Sequence, residues 1–167
     1  DDADIERAAE NIVWGAFFFL FQICMTSGKI LVQEAIYERL KARVTEKTRQ
    51  LVVGNPAQEN VTIGPLIDEK QCRRVAGLVQ AAVTHGARLE TGGDAQGVFF
   101  RPAVLSGVSK NNPVFHEEIF GPVAVLIPFA DDAEAVALAN DGVCGLFVGI
   151  IIVNVGRGFK LWGQLNF

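Results

Sequence analysis

The chain has 167 residues, with 15 Lys and Arg against 19 Asp and Glu, and a net charge of −4. That balance provides no basic stripe to neutralise phosphates, which argues against a nucleic-acid partner. Half of the residues are hydrophobic, including 12 Phe, and the mean hydropathy is +0.27, as suits the interior of a larger assembly. The longest apolar stretches, 13–21 and 143–153, still fall short of the ~18–20 residues of a membrane-spanning helix.

Residues 4–20 place Ile5, Ala8, Ala9, Ile12, Val13, Ala16 and Phe17 at helical spacing, with Asp1, Asp2, Asp4 and Glu6 at the N-terminal end where the helix dipole favours negative charge. Residues 29–33 are β-branched and aliphatic and predict a strand, and 35–50 predict a charged-faced helix. Gly54-Asn55-Pro56 and Gly64-Pro65 bracket a loop. Asp68 is placed to cap a helix running to about His85, whose apolar stripe includes Cys72, Val75, Val79 and Ala82. Short strands are expected at 88–90, 99–105 and 123–129. Asp131 then caps a helix through Ala139, residues 146–153 read as a buried strand, and 156–165 as a final helix. Helices alternating with short apolar strands predict an α/β fold, with an open, mostly parallel sheet flanked by helices.

Three scattered cysteines with no CxxC pair argue against a disulfide framework and against zinc, so no metal is expected. No charged segment with a cleavage site opens the chain, and a reducing, cytoplasmic setting is expected. Cys72 lies on the apolar stripe of its helix and reads as structural. Cys24 differs. It follows the end of the first helix in Gln22-Ile23-Cys24-Met25-Thr26-Ser27-Gly28, where a thiol can be reached, and a thiolate is a strong nucleophile. A second loaded segment, His116-Glu117-Glu118-Ile119-Phe120-Gly121-Pro122, sets paired carboxylates and an aromatic before a strand. A carboxylate there suits sugar hydroxyls, and Phe120 suits a planar ring. A Cys24–His116 pair would be the alternative, a thiol-hydrolase arrangement.

The ordered set Phe17-Phe18, Gln22-Ile23-Cys24, Val53-Gly54-Asn55-Pro56, Ile63-Gly64-Pro65-Leu66, Gly92-Gly93, Arg101-Pro102, Glu117 to Pro122, and Ala139-Asn140-Asp141 with Gly145-Leu146 resembles the NAD(P)-dependent aldehyde dehydrogenase superfamily. The resemblance covers nearly the whole chain, and Gln22 to Met25 is similar to the benzaldehyde and vanillin dehydrogenase branch. It implies that Cys24 attacks an aldehyde to form a thiohemiacetal, that hydride passes to NAD or NADP, and that water hydrolyses the resulting thioester to a carboxylic acid. The Cys24 backbone N–H would help hold the oxyanion. By the same resemblance Glu118 meets the nicotinamide ribose, Phe120 the nicotinamide side, and Gln71 and Arg74 the cofactor's other ribose. Phe18, Ile23 and Met25 would line the approach of a small-molecule aldehyde.

The resemblance also implies that residues 1–167 are part of a catalytic domain, without the cofactor-binding domain, the general base or the oligomerisation segment. Such a piece is expected to be inactive alone, and its parent to be a homo-oligomer. Four departures stand out: Phe21 where the family has Gly, Cys144 in place of a Tyr, Ile152 and Val153 at polar positions, and Trp162-Gly163 within a helix. They leave a second reading open, a non-catalytic copy serving at most as an assembly partner through exposed apolar faces.

Overall fold

The computed structural model describes residues 2–142 and 145–167, with the side chains of Phe19 and Phe21 also outside the description. Cys144 and the Phe21 side chain, two of the departures noted above, therefore lie outside the described residues.

The first helix, α1 (Ile5–Phe17), is capped by Asp4, whose carboxylate accepts from the Arg7 N–H at 2.9 Å. A short 3-10 turn (Phe18–Phe21) follows, so the helix ends earlier than the apolar pattern predicts. Phe18 takes an extended ψ of 140° and Leu20 a positive φ of 60°. Leu20 packs against the hydrophobic clusters on both sides of the sheet, burial that offsets its left-handed backbone. Next come β1 (Lys29–Gln33), α2 (Glu34–Arg49) and α3 (Glu69–Thr84). Asp68 caps α3 as expected, and the His85 Nδ1–H donates to the Ala81 carbonyl at 2.8 Å where that helix ends.

Beyond α3 lie β2 (Arg88–Thr91), β3 (Ala95–Gln96), β4 (Phe99–Phe100), β5 (Ala103–Ser106), the single-turn α4 (Pro113–His116) and β6 (Val123–Phe129). The strand expected over 99–105 is split. Pro102 has no N–H to donate, and the Arg101 N–H and C=O pair back to Asp94 and Gly93, while Ala103 turns to join the Pro122 carbonyl. The chain closes with α5 (Asp132–Asn140) and α6 (Val155–Trp162).

The main sheet has the order β1-β6-β5-β2, with β1, β6 and β5 mutually parallel and β2 antiparallel. β6 is apolar on both faces, as a central parallel strand covered twice should be. Ala124 and Leu126 join Ile30, Val32 and Val104 beneath α1 and α2. Val123, Val125 and Ile127 join Ala103 and Leu105 against Cys72, Val75 and Val79 of α3. The period-2 alternation thus assigns each strand residue to one of two layers.

Residues 146–153 do not form the buried strand that their sequence predicts. They carry no ladder, and Leu146, Ile151 and Val153 are exposed, Leu146 and Val153 at 66% each. An apolar run alone does not distinguish a strand from other buried structure, and here no second layer among the described residues covers it. α6 is tethered by polar contacts instead. The Asn154 N–H donates to Asp2 at 2.8 Å, and Arg157 grips the Asp132 carboxylate. No helix among the described residues is long and apolar enough to cross a membrane.

Candidate active site

The parallel pairing of β1 with β6 decides which loops meet. Lys29 is in register with Val125, and the Val125 N–H donates to the Gly28 carbonyl at 3.0 Å. The loop entering β1, which carries Cys24, and the loop entering β6, which carries Glu117 and Glu118, therefore lie at the same edge of the sheet. They share a groove of about 410 Å³ lined by Cys24, Ser27, Lys29, His116, Glu117 and Glu118. Residues 146–152 contribute its outer wall.

The Cys24 loop is built locally. The Ile23 carbonyl accepts from both the N–H and the hydroxyl of Thr26, at 3.3 and 2.8 Å, which makes Cys24 and Met25 the central residues of a closed turn. The turn is fastened to α1, because the Ser27 N–H donates to the Gly15 carbonyl at 3.2 Å. Gly15 permits this approach, since a Cβ there would sit 3.1 Å from the Ser27 hydroxyl. Cys24 is exposed, and no backbone hydrogen bond among the described residues uses its N–H. Sulfur and amide are thus both presented at the turn, the arrangement a thiol nucleophile with its own oxyanion donor requires. Cys72 contrasts with it: burial pushes its thiol up, with Asp68 and Glu69 adding to the rise.

The second loop begins at α4. Asn112, fully buried, donates to the Ala82 carbonyl at 2.9 Å and accepts from the Val114 N–H, which docks α4 on the end of α3. From there Glu118 is exposed, Ile119 is buried and Phe120 is half-buried. Phe120 has a φ of 51°, a left-handed conformation that costs a non-glycine residue about 1–3 kcal/mol unless its surroundings impose it. They do so here. The Gln71 amide donates to the Phe120 carbonyl at 2.6 Å, and Arg74 donates to the Ile119 and Glu118 carbonyls at 2.6 and 2.8 Å.

Not every expected residue enters the groove. Phe18, Ile23, Met25, Gln71, Arg74 and Phe120 are absent from its lining. Phe18 instead stacks on Trp14 at 5.0 Å between ring centroids with an interplanar angle of 20°, and Met25 is 57% exposed. Trp14 escaped the sequence reading, although its i, i+4 spacing from Phe18 signals the pair. The His116 ring nitrogen Nε2 is engaged by the Lys110 carbonyl at 2.9 Å, so that nitrogen carries the proton and is not a base for a thiol. Among the described residues no cluster of His, Cys, Asp and Glu suits a metal ion.

The sequence and the fold of this chain recur in known proteins. The sequence model of the aldehyde dehydrogenase family matches residues 1–167. A vanillin dehydrogenase from an Amycolatopsis species is 42% identical over 161 residues, 96% of this chain and 33% of that protein. The crystal structure of a salicylaldehyde dehydrogenase from Pseudomonas putida G7 in complex with salicylaldehyde superposes with a TM-score of 0.94 at 36% identity, covering 99% of this chain and 34% of that one. A betaine aldehyde dehydrogenase from Staphylococcus aureus in complex with NAD+ gives a TM-score of 0.97 at 27% identity, covering 100% of this chain and 35% of that one. The chain thus spans about a third of the length of the relatives it matches. With its sequence matched from end to end and its fold shared with solved dehydrogenases, the chain belongs to the aldehyde dehydrogenase family.

Proposed function

We propose that the chain is part of the catalytic domain of a longer NAD(P)-dependent dehydrogenase that oxidises an aromatic aldehyde to its carboxylic acid. Cys24 is the nucleophile. The observation that carries this reading is the exposed thiol of Cys24, at the centre of a fastened turn, in one groove with the Glu118 carboxylate.

Cys24 loses its proton, its sulfur bonds to the aldehyde carbon, and the carbonyl oxygen takes the charge. The Cys24 N–H is a donor for that oxygen, already presented by the turn. Oxidation leaves an acyl group on the same sulfur, and attack by water releases the acid and returns the thiol. The residues present fit the nicotinamide end of a dinucleotide. Glu118 is an exposed carboxylate that accepts hydrogen bonds, as a ribose diol offers, and its backbone carbonyl is already satisfied by Arg74. Phe120 presents a half-buried ring from a fixed loop. Bound NAD(P)+ supplies the two-electron oxidant. An aromatic substrate is supported by the relatives named for vanillin and salicylaldehyde.

The test uses the full-length polypeptide that carries this segment. Cys24→Ala is expected to abolish NAD(P)-dependent oxidation of benzaldehyde-type substrates. Iodoacetamide is expected to label Cys24 rapidly and Cys72 only after denaturation, with NAD+ altering the rate at Cys24. Turnover that survives Cys24→Ala overturns the nucleophile assignment.

A further inference from the structure

Gln71, Arg74 and Val75 share one face of α3, at the three- and four-residue spacing that brings helix side chains together. All three meet the loop that carries Glu118. Gln71 is fixed first by its backbone, because the Asp68 cap accepts from its N–H at 2.7 Å. Its side-chain amide then reaches the Phe120 carbonyl, while the two terminal nitrogens of Arg74 reach the carbonyls of Ile119 and Glu118. Val75 closes against Gly121, where a Cβ would approach its methyl carbon to 2.4 Å. Three successive loop carbonyls are therefore satisfied by two side chains of one helix. The loop has no ladder of its own until Val123, so these bonds hold the left-handed turn at Phe120 from behind while the Glu118 carboxylate lines the groove with Cys24.

We propose that Gln71 and Arg74 are positioning residues, which act on the nicotinamide end of the cofactor through the Glu118–Phe120 loop rather than by holding the cofactor's other ribose. The assignment rests on the reading of Glu118 as a ribose-binding carboxylate. A guanidinium fork suits this role better than an ammonium, because its planar donors span two carbonyls at once. A carboxylate misplaced by even a fraction of an ångström no longer orients the ring it meets, so loosening the loop reduces turnover without removing any group that touches the cofactor.

The experiment compares Gln71→Leu, Arg74→Met, Arg74→Lys and Glu118→Gln in the full-length polypeptide, with three readouts. Amide hydrogen exchange over residues 117–121 reports the loop without cofactor. Calorimetric binding of AMP reports contact with the adenosine ribose. Steady-state kinetics with NAD+ separate kcat from KM. For Gln71→Leu and Arg74→Met, loop exchange is expected to rise roughly tenfold or more, with the larger rise for Arg74→Met, which loses two hydrogen bonds from a charged group. Turnover should fall toward that of Glu118→Gln, AMP affinity should stay within about twofold, and Arg74→Lys should recover part of the loss. Weakened AMP binding with unchanged loop exchange overturns the proposal in favour of direct ribose contact. Unaltered kinetics in Gln71→Leu and Arg74→Met, with Glu118→Gln impaired, overturn the positioning role alone. Unaltered kinetics in Glu118→Gln overturn the ribose reading and the proposal built on it.

Discussion

Replacing Gly121 by Ala is a one-methyl perturbation whose effect follows from the packing of α3 against the loop. The new Cβ would lie 2.4 Å from one methyl carbon of Val75 and 3.0 Å from the other, where ordinary contact begins at 3.4 Å. Val75 is fully buried in the core cluster beneath the sheet. Loop and helix must therefore part by about 1 Å, and close-packed interiors resist such movement. Overpacking of this kind costs about 1–3 kcal/mol. The same displacement stretches the bonds of 2.6, 2.6 and 2.8 Å from Gln71 and Arg74 to roughly 3.6–3.8 Å, beyond hydrogen-bonding range. Arg74 is exposed and rehydrates, so the lost bonds add only about 1 kcal/mol. The expected total is about 2–4 kcal/mol, read by urea denaturation and localised to α3 and residues 117–123 by hydrogen exchange. Val75→Ala removes both clashing methyls. The double variant should therefore be more stable than the sum of the singles by at least ~1 kcal/mol. Strict additivity, or a single-variant loss below ~0.5 kcal/mol, refutes the contact as the cause.

Two further outcomes are expected. Asn112→Ala removes its bond to the Ala82 carbonyl, which keeps the Ala87 N–H as a donor, and its cap on the Val114 N–H, and should lower stability by about 0.5–1.5 kcal/mol. Asn112→Asp should cost more, because it buries a charge facing a carbonyl, and a neutral result for both, measured by thermal unfolding, would dismiss the bond. Hydrogen bonds from Arg157 hold the Asp132 carboxyl below its usual range, and the Asn154 N–H does the same for Asp2. Both carboxylates are depressed in the folded state. Their tethering of α6 is thus complete above the unfolded value of about 3.9 and is lost as pH falls through the lowered folded value. Trp162 fluorescence in a Trp14→Phe background should report release of α6 on acidification, and a flat titration between pH 5 and 2 would exclude the tether.

The sequence disclosed most of the framework because its signals are local. Asp68 and Asp131 cap the helices that their positions predict, and the apolar period of α3 places Cys72 in the core. The strand at 146–153 was misread because a strand is a property of two partners, and hydrophobicity in one run says nothing about its neighbour's edge. Pro102 carried the clue to the split between β4 and β5, as a residue that has no donor for a ladder. At the site, the exposure of Cys24 was legible from its place after a helix. The bonding of Gln71 and Arg74 was not, because carbonyl acceptors 44 to 49 residues away leave no mark in local sequence.

The outer side of β1 carries a solubility consequence. Among the described residues the strand ends the sheet order, next to the exposed apolar residues of 146–153. Open edges of this kind template cross-chain pairing. Lys29 and Gln33 are the polar residues at the two ends of β1, and a charge such as that of Lys29 disfavours such pairing. Lys29→Val should therefore raise the tendency to form β-rich aggregate, whereas Gln33→Val should in addition destabilise the start of α2, whose Ala35 N–H the Gln33 side chain caps.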